Sequence, residues 1–206
     1  MTKNQILLLS FCIALTPAVG MAQPQSEGDK DDSLIKKSAP LESDSSVELQ
    51  EFKSDNLIVK YPSAWERMAD VPKPRVLHVK TMGGKVNASV TVQPVPSGIT
   101  LEQYRDATTR DIESDAKDLH PQKVAEEKTH LGEIDAWKLI YSINVPNTQP
   151  PISAKQTLYI AVKGDRGYLL CCTAFDALPG KYDSIFRLMA DSLKIPPEEK
   201  VPSKVQ

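Results

Sequence analysis

The sequence predicts a single α+β domain in which an antiparallel sheet packs against helices. Several segments alternate apolar and polar residues and are joined by short turns that contain glycine, which is typical of antiparallel strands. Two other segments repeat apolar residues every three or four positions, as amphipathic helices do. Strands joined by tight turns, together with only two long helices, favour a layered α+β domain.

The first 22 residues are predicted to be an export signal. Lys3 supplies a positive start, an apolar stretch runs from Ile6 to Leu15, and small residues lead to cleavage after Ala22. The apolar stretch is too short to span a bilayer comfortably. We therefore expect a secreted or periplasmic protein that has no transmembrane span after cleavage. Removing 22 of the 206 residues leaves 184, enough for one ordinary domain.

Two end segments are expected to lie outside the folded domain. Residues 23–50 are rich in Ser, Asp, Glu, Lys and Pro, a composition that buries too little apolar surface to fold, and they are predicted to form a disordered acidic tether. Residues 196–206 contain three prolines and alternating charges, and they are predicted to form a flexible tail. The domain itself is expected to extend over residues 51–195.

The first half of the domain contains three predicted strands. Residues 57–61 alternate between the two faces of a strand until Pro62 ends the pattern. Two further strands, at 76–80 and 88–95, are separated by Met-Gly-Gly-Lys at 82–85, which is a typical hairpin turn. These residues therefore predict one strand followed by a hairpin.

The second half contains four predicted strands. Residues 124–129 are expected to pair, through a turn near Gly132, with a long strand whose apolar face is formed by Trp137, Leu139, Tyr141, Ile143 and Val145. The next strand covers residues 152–163, and a tight turn leads into the last strand at 168–175. Because this last strand is apolar on both faces, we place it in the middle of the sheet.

Two amphipathic helices are expected to cover the sheet. Thr100 and Gln103 form the sequence signature of a capping box, which begins the first helix. Its apolar stripe consists of Leu101, Tyr104, Thr108, Ile112, Ala116 and Leu119. The second helix is expected to begin after Gly180 and to continue until Pro196 stops it. Its apolar stripe consists of Tyr182, Ile185, Phe186, Met189 and Leu193.

Charge and cysteine content exclude some classes of function. Cleavage removes Lys3, leaving 24 basic residues against 27 acidic ones, so the mature net charge is about −3. This balance argues against binding to nucleic acids or to anionic membranes. Cys171 and Cys172 remain after cleavage and are adjacent in a strand, where their side chains point to opposite faces. We expect two buried thiols rather than a disulfide.

The sequence contains no recognisable catalytic, metal-binding or phosphate-binding motif. A Gly-x-Ser-x-Gly motif and a phosphate-binding loop are both lacking. No two of His78, His120 and His130 have the spacing of metal ligands. His130 with Glu133 and Asp135 is better explained as an exposed hairpin corner than as a metal site. We therefore predict no catalytic residues, no metal ligands and no cofactor.

Four residues have both a structural and a functional interpretation. His78 alternates with apolar neighbours and is expected on the less apolar face of its strand, as a structural or surface histidine rather than a general base. Trp65 and Trp137 are expected in the core rather than in an aromatic ligand site. Asn87 begins an Asn-x-Ser sequon, which matters only in a eukaryotic host.

Four motifs in order carry a family resemblance. These are Tyr-Pro-Ser-Ala-Trp at 61–65, Gly-Glu-Ile-Asp-Ala-Trp at 132–137, Gly-Tyr-Leu-Leu at 167–170, and Asp-Ser-Leu-Lys at 191–194, which ends the last helix. Together they resemble the PsbP-like, or Mog-type, superfamily, which includes envelope proteins of the DcrB kind. The resemblance covers residues 52–195 and implies an α/β/α sandwich whose central antiparallel sheet is covered by helices.

Most members of the superfamily are similar to scaffolds and binding proteins rather than to enzymes, and none of their ligand residues can be transferred to this chain. The sequence therefore predicts an exported, non-enzymatic accessory domain that binds another protein of the cell envelope. The alternative is a carrier of a small apolar ligand or peptide in a pocket between sheet and helix. A hydrolase that uses His78 or His130 is a third and weaker hypothesis. The identity of the partner and the oligomeric state stay open.

Overall fold

The computed structural model describes residues 47–54, 57–145, 152–178 and 180–196. The predicted export signal, most of the predicted tether and nearly all of the predicted tail lie outside these ranges. The described elements, in chain order, are β1 (Leu49–Ser54), β2 (Leu57–Pro62), β3 (Glu66–Arg67), β4 (Arg75–Lys80), β5 (Val86–Pro94), α1 (Leu101–Asp115), β6 (Gln122–Leu131), β7 (Ile134–Val145), β8 (Ile152–Lys163), β9 (Arg166–Phe175) and α2 (Lys181–Ser192).

Seven of the strands form one antiparallel sheet in the order β3-β4-β5-β9-β8-β7-β6. Strand β9 lies in the middle, as its two apolar faces predicted. Strands β1 and β2 pair with each other as a separate two-stranded sheet. The predicted α+β class, a large antiparallel sheet packed with helices, is therefore confirmed. No helix in the described ranges is long and apolar enough to cross a membrane.

The sheet separates two apolar cores, because successive residues of each strand point to opposite faces. The core beneath α1 includes Tyr104, Ile112, Leu139, Tyr141, Leu158, Ile160, Leu169 and Cys171. The core on the other face, covered by α2 and the β1–β2 pair, includes Val59, Val79, Val90, Tyr159, Leu170, Cys172, Phe186 and Met189. Complete burial of one such side chain contributes about 2 kcal/mol to stability. Both cysteines are buried and neither forms a disulfide, as predicted.

Helix α1 begins as the sequence predicted. The amide of Gln103 donates a hydrogen bond to the Thr100 hydroxyl at 3.1 Å, and the amide of Thr100 donates to the Gln103 side-chain oxygen at 2.9 Å. These two bonds satisfy donors that have no partner within the helix. The stripe residues Tyr104, Thr108 and Ile112 are buried against the sheet.

The structure differs from the sequence predictions at both ends of the domain. Strand β1 begins at Leu49, two residues before the predicted start of the domain, and was not predicted as a strand. Helix α2 ends at Ser192, before the predicted stop at Pro196. The reason is that Ile58 and Lys194 exchange two backbone hydrogen bonds of 2.8 Å, which require an extended chain after the helix.

Candidate functional site

Strand β6 is the last strand on one side of the large sheet. It pairs with β7, and among the described residues no strand lies on its other side. Its side chains are exposed from Gln122 to Lys128 and again at His130. An exposed outer strand presents backbone N–H and C=O groups to which a further strand can bind. We call β6 the open edge.

Two features restrict what can pair with the open edge. A bulge at Val124 shifts the register between Lys123 and Ala125, and the Val124 side chain is 65% exposed. Charged residues then follow one another at Glu126, Glu127 and Lys128. Bulges and charges are the usual means by which proteins prevent unspecific strand pairing. The open edge is therefore expected to accept only a strand that carries opposite charges at the positions paired with its charged residues.

Arg105 connects α1 to the open edge. Its Nη1 donates to Glu126 Oε1 at 2.8 Å, its Nη2 donates to Asp106 Oδ1 at 2.6 Å, and its guanidinium lies 4.5 Å from the centroid of the Trp137 ring. The hydrogen bond to Asp106 raises the pKa of Arg105. Lys123 donates to the other Glu126 oxygen at 2.7 Å. Two cations therefore hold the carboxylate of Glu126 in place beside the edge.

The two tryptophans differ in their surroundings. Trp65 is 6% exposed and packs against Tyr182 and Phe186, with ring centroids 6.4 Å apart in both cases, so its predicted core position is confirmed. Trp137 was predicted in the core, but it is only half-buried and lies near two cations, Arg105 and Lys128. This environment could not be predicted from the neighbouring residues because Arg105 belongs to a helix distant in the chain.

One cleft flanks the open edge on the α1 face, and a second lies on the other face of the sheet beside β7 and β8. The α1-side cleft, of about 480 Å³, is lined mainly by polar and charged side chains, among them Arg105, Arg110 and Glu126. The α2-side cleft, of about 290 Å³, lies between the β7–β8 pair and α2. Each cleft contains several charged side chains, which a purely apolar ligand would have to desolvate.

Two ion pairs border the α2-side cleft. Lys138 Nζ lies 2.7 Å from Glu127 Oε1, and Lys155 Nζ lies 2.9 Å from Asp183 Oδ2. These pairs are partly exposed, and such pairs contribute at most about 1 kcal/mol each to stability. They partly neutralise both lysines, while Arg187, which also lines the cleft, lies 3.9 Å from Asp191.

On the α1 face of the sheet, a row of three buried side chains crosses β4, β5 and β9. His78 pairs with Ser89 across β4 and β5, and Ser89 pairs with Cys171 across β5 and β9, so the three side chains are neighbours on one face. Their exposed fractions are only 7%, 1% and 5%, respectively. The structure thus places His78 on the opposite face of β4 from Leu77 and Val79, as predicted, but in a position that a substrate does not reach.

The environment of His78 predicts a pH-dependent stability. Burial, followed by the charges of Arg75 and Lys80, lowers the pKa of His78 below its usual 6.5. As the pH falls, His78 becomes protonated in the unfolded chain at a higher pH than in the folded protein. The free energy of unfolding is therefore unaffected by His78 above about pH 6.5 and decreases as the pH drops below that value. The loss is about 1.4 kcal/mol for each unit between the two pKa values.

Urea unfolding of the wild type and of His78→Gln between about pH 7.5 and 5 measures this effect. We expect the wild type to lose more stability than the variant over this range. Equal slopes in the two proteins would show that His78 does not titrate on unfolding.

The remaining predicted positions behave as structural residues. His130 Nε2 lies 3.4 Å from Asp135 Oδ1, with both side chains exposed at the β6–β7 turn, as the hairpin-corner interpretation predicted. The described ranges contain no group of three or more His, Cys, Asp or Glu side chains that could hold a metal ion. Asn87 lies within β5, and its side-chain oxygen is buried without a hydrogen-bond partner.

No protein-family model matches the sequence, and the search of curated proteins found no match. Its structure is similar to solved structures. Cyanobacterial PsbP (CyanoP) from Synechocystis sp. PCC 6803 has 16% identity and a TM-score of 0.55, covering 77% of this chain and 100% of its own. LpqN, described as involved in cell envelope biogenesis of Mycobacterium tuberculosis, has 12% identity and a TM-score of 0.50, covering 72% of this chain and 92% of its own.

A protein from Bacteroides thetaiotaomicron has 13% identity and a TM-score of 0.52 over 72% of this chain. This chain spans about half the length of that protein, at 48% coverage. At such identities the similarity concerns the fold alone. The order of elements and the neighbours agree with the resemblance found in the sequence, and the chain has a PsbP-like fold.

Proposed function

We propose that this chain is a non-enzymatic accessory domain of the cell envelope that acts by binding protein at the open edge and its flanking clefts. The observation that carries the proposal is the outer strand β6, which has no strand on its outer side among the described residues and whose side chains are exposed from Gln122 to Lys128. Strand addition to a sheet edge is a common mode of protein recognition, in which backbone hydrogen bonds give affinity and side chains give specificity.

The placement of reactive side chains supports binding rather than catalysis. His78, Ser89 and Cys171 are buried, so they offer no nucleophile or base to a substrate. His130 is exposed, but its partner is a surface carboxylate in a hairpin turn. The predicted export signal, together with the structural similarity to LpqN, which is described as involved in cell envelope biogenesis, supports a location in the cell envelope.

The alternative function, a carrier of a small apolar ligand or peptide, stays a prediction. The space between α1 and the sheet is filled by large side chains such as Tyr104, Leu158 and Ile160. The two clefts beside the open edge are lined mainly by polar and charged groups. No observation among the described residues favours this alternative over protein binding.

Site-specific photo-crosslinking in the native host tests the proposal. A benzophenone amino acid replaces Val124 on the open edge or Leu188 on α2, which are 65% and 44% exposed. The matched control carries it at Met82, which is 96% exposed on the β4–β5 turn at the other side of the sheet. We expect an adduct with a different envelope protein from Val124 or Leu188 but not from Met82. An absence of such adducts at both positions would contradict the proposal.

A further inference from the structure

The charges of the open edge define the strand that fits it. Glu126 and Lys128 lie on the α1 face, opposite Leu139 and Trp137 of β7, while Glu127 lies on the other face. Directly opposed residues of antiparallel strands share a face, where opposite charges stabilise the pair and like charges destabilise it. An incoming antiparallel strand therefore fits best with an acidic residue opposite Lys128 and, two residues later, a basic rather than an acidic residue opposite Glu126, whose carboxylate Arg105 and Lys123 already hold in place.

Strand β6 itself has this sequence. Read from its amino end, Glu126-Glu127-Lys128 places an acidic residue two positions before a basic one. We propose that the open edge binds the open edge of a second copy of this chain, as an antiparallel pair centred on Glu127. In this register, Glu126 faces the partner's Lys128 and Lys128 faces the partner's Glu126. The two-fold symmetry makes both contacts identical, as in most homodimers.

The rest of the register is compatible with this pairing. Ala125 faces the partner's Thr129, and both side chains are small. Glu127 faces the partner's Glu127, but each Glu127 carboxylate accepts a hydrogen bond from Lys138 at 2.7 Å, which lowers its pKa. The two lysines thus offset the repulsion between the two carboxylates. The bulge at Val124 ends the regular pairing on one side.

The length of the paired segment sets the strength of the dimer. Regular pairing covers residues 125–129 of each chain, which is a small contact compared with a stable interface. We therefore expect a weak dimer with a dissociation constant in the micromolar range. A weak dimer leaves the open edge accessible to other proteins. The inference rests on the proposed function because both use β6.

Charge variants of the mature chain test the register by sedimentation equilibrium at concentrations up to about 0.5 mM. The substitutions E126K and K128E each place like charges opposite each other at two positions, so each is expected to weaken dimerisation at least about tenfold. The double variant E126K/K128E restores both opposite-charge pairs and is expected to recover the dimer. An equimolar mixture of the two single variants is expected to associate more strongly than either variant alone.

The control is E66K, which changes a charge on β3 at the opposite side of the sheet and is expected to leave dimerisation unchanged. Glu126 also binds Arg105 and Lys123, so circular dichroism must show that E126K is folded. The Lys128 side chain is 74% exposed, and K128E therefore tests the register alone if E126K does not fold.

A wild-type chain that stays monomeric up to about 0.5 mM would overturn the dimer. The same holds if both single variants, once shown to fold, dimerise like the wild type. Neither result affects the proposed function, which depends on adducts with a different protein. Conversely, a Val124 adduct that contains only this chain, together with no adduct to a different protein at Leu188, would support the dimer and contradict the proposed function.

Discussion

Gly132→Ala is expected to lower the free energy of unfolding by about 3 kcal/mol or more. Gly132 has a φ of +61° in the β6–β7 turn, a conformation that costs an alanine about 1–2 kcal/mol. A Cβ at this position would also overlap the backbone carbonyl oxygen of Leu193, which cannot rotate away as a side chain does. The end of α2 would have to shift, and the 2.8 Å hydrogen bond from the Gly132 amide to the Ala190 carbonyl would be lost or lengthened.

Gly164→Ala is the matched control for this prediction. Gly164 has a φ of +62°, but a Cβ there would meet no atom within 4 Å. It should therefore show the conformational cost alone, about 1–2 kcal/mol. Urea unfolding of both variants measures the difference, which is the contribution of the contact between the turn and α2. Equal losses in the two variants would show that α2 adapts to the added methyl group without cost.

Gly167→Ala is expected to destabilise the domain by about 2–3 kcal/mol, for a different reason. Gly167 has no positive φ, so its backbone suits alanine, but a Cβ would overlap the ring of Tyr104. The Tyr104 hydroxyl accepts a hydrogen bond from Gln93 Nε2 at 3.0 Å, and burial raises the pKa of Tyr104 to about 12. Moving the ring would thus disturb the core beneath α1 and a buried hydrogen bond together.

A double-mutant cycle with Tyr104→Leu isolates this contact. Leucine is too short to reach the space above Gly167, so Gly167→Ala in the Tyr104→Leu background is expected to cost less than about 1 kcal/mol. The coupling energy from urea unfolding is then the free-energy cost of the overlap between a methyl group at position 167 and the Tyr104 ring. Additive losses would show that Tyr104 is not what excludes a side chain from position 167.

Most of the architecture was predictable because its elements have strong local signals. The capping box at Thr100 and the two apolar faces of β9 depend on neighbouring residues, and both were read correctly. Strand β1 has no such signal, since its half-buried Leu49 and Phe52 are three positions apart and do not alternate with period two. It forms because β2 supplies its hydrogen-bond partners.

The end of α2 and the open edge depend on distant parts of the chain. Leu193 continues the helical apolar pattern, but the pairing of Lys194 with Ile58 overrides it. The strand at 124–129 and its partner were predicted, whereas its place at the outside of the sheet depends on the order of all seven strands. The charges at Glu126, Glu127 and Lys128 were the one available sign, since charged strands are typical of sheet edges.

The two adjacent thiols of β9 give the protein a pair of internal reporters. Cys171 belongs to the core beneath α1, and Cys172 belongs to the core beneath α2. A maleimide reagent reaches either sulfur only when the layer above it opens. With one cysteine replaced by alanine, the labelling rate of the other measures the opening of a single layer. Because these neighbouring residues lie on opposite faces of the sheet, the opening rates of the two layers can be measured independently.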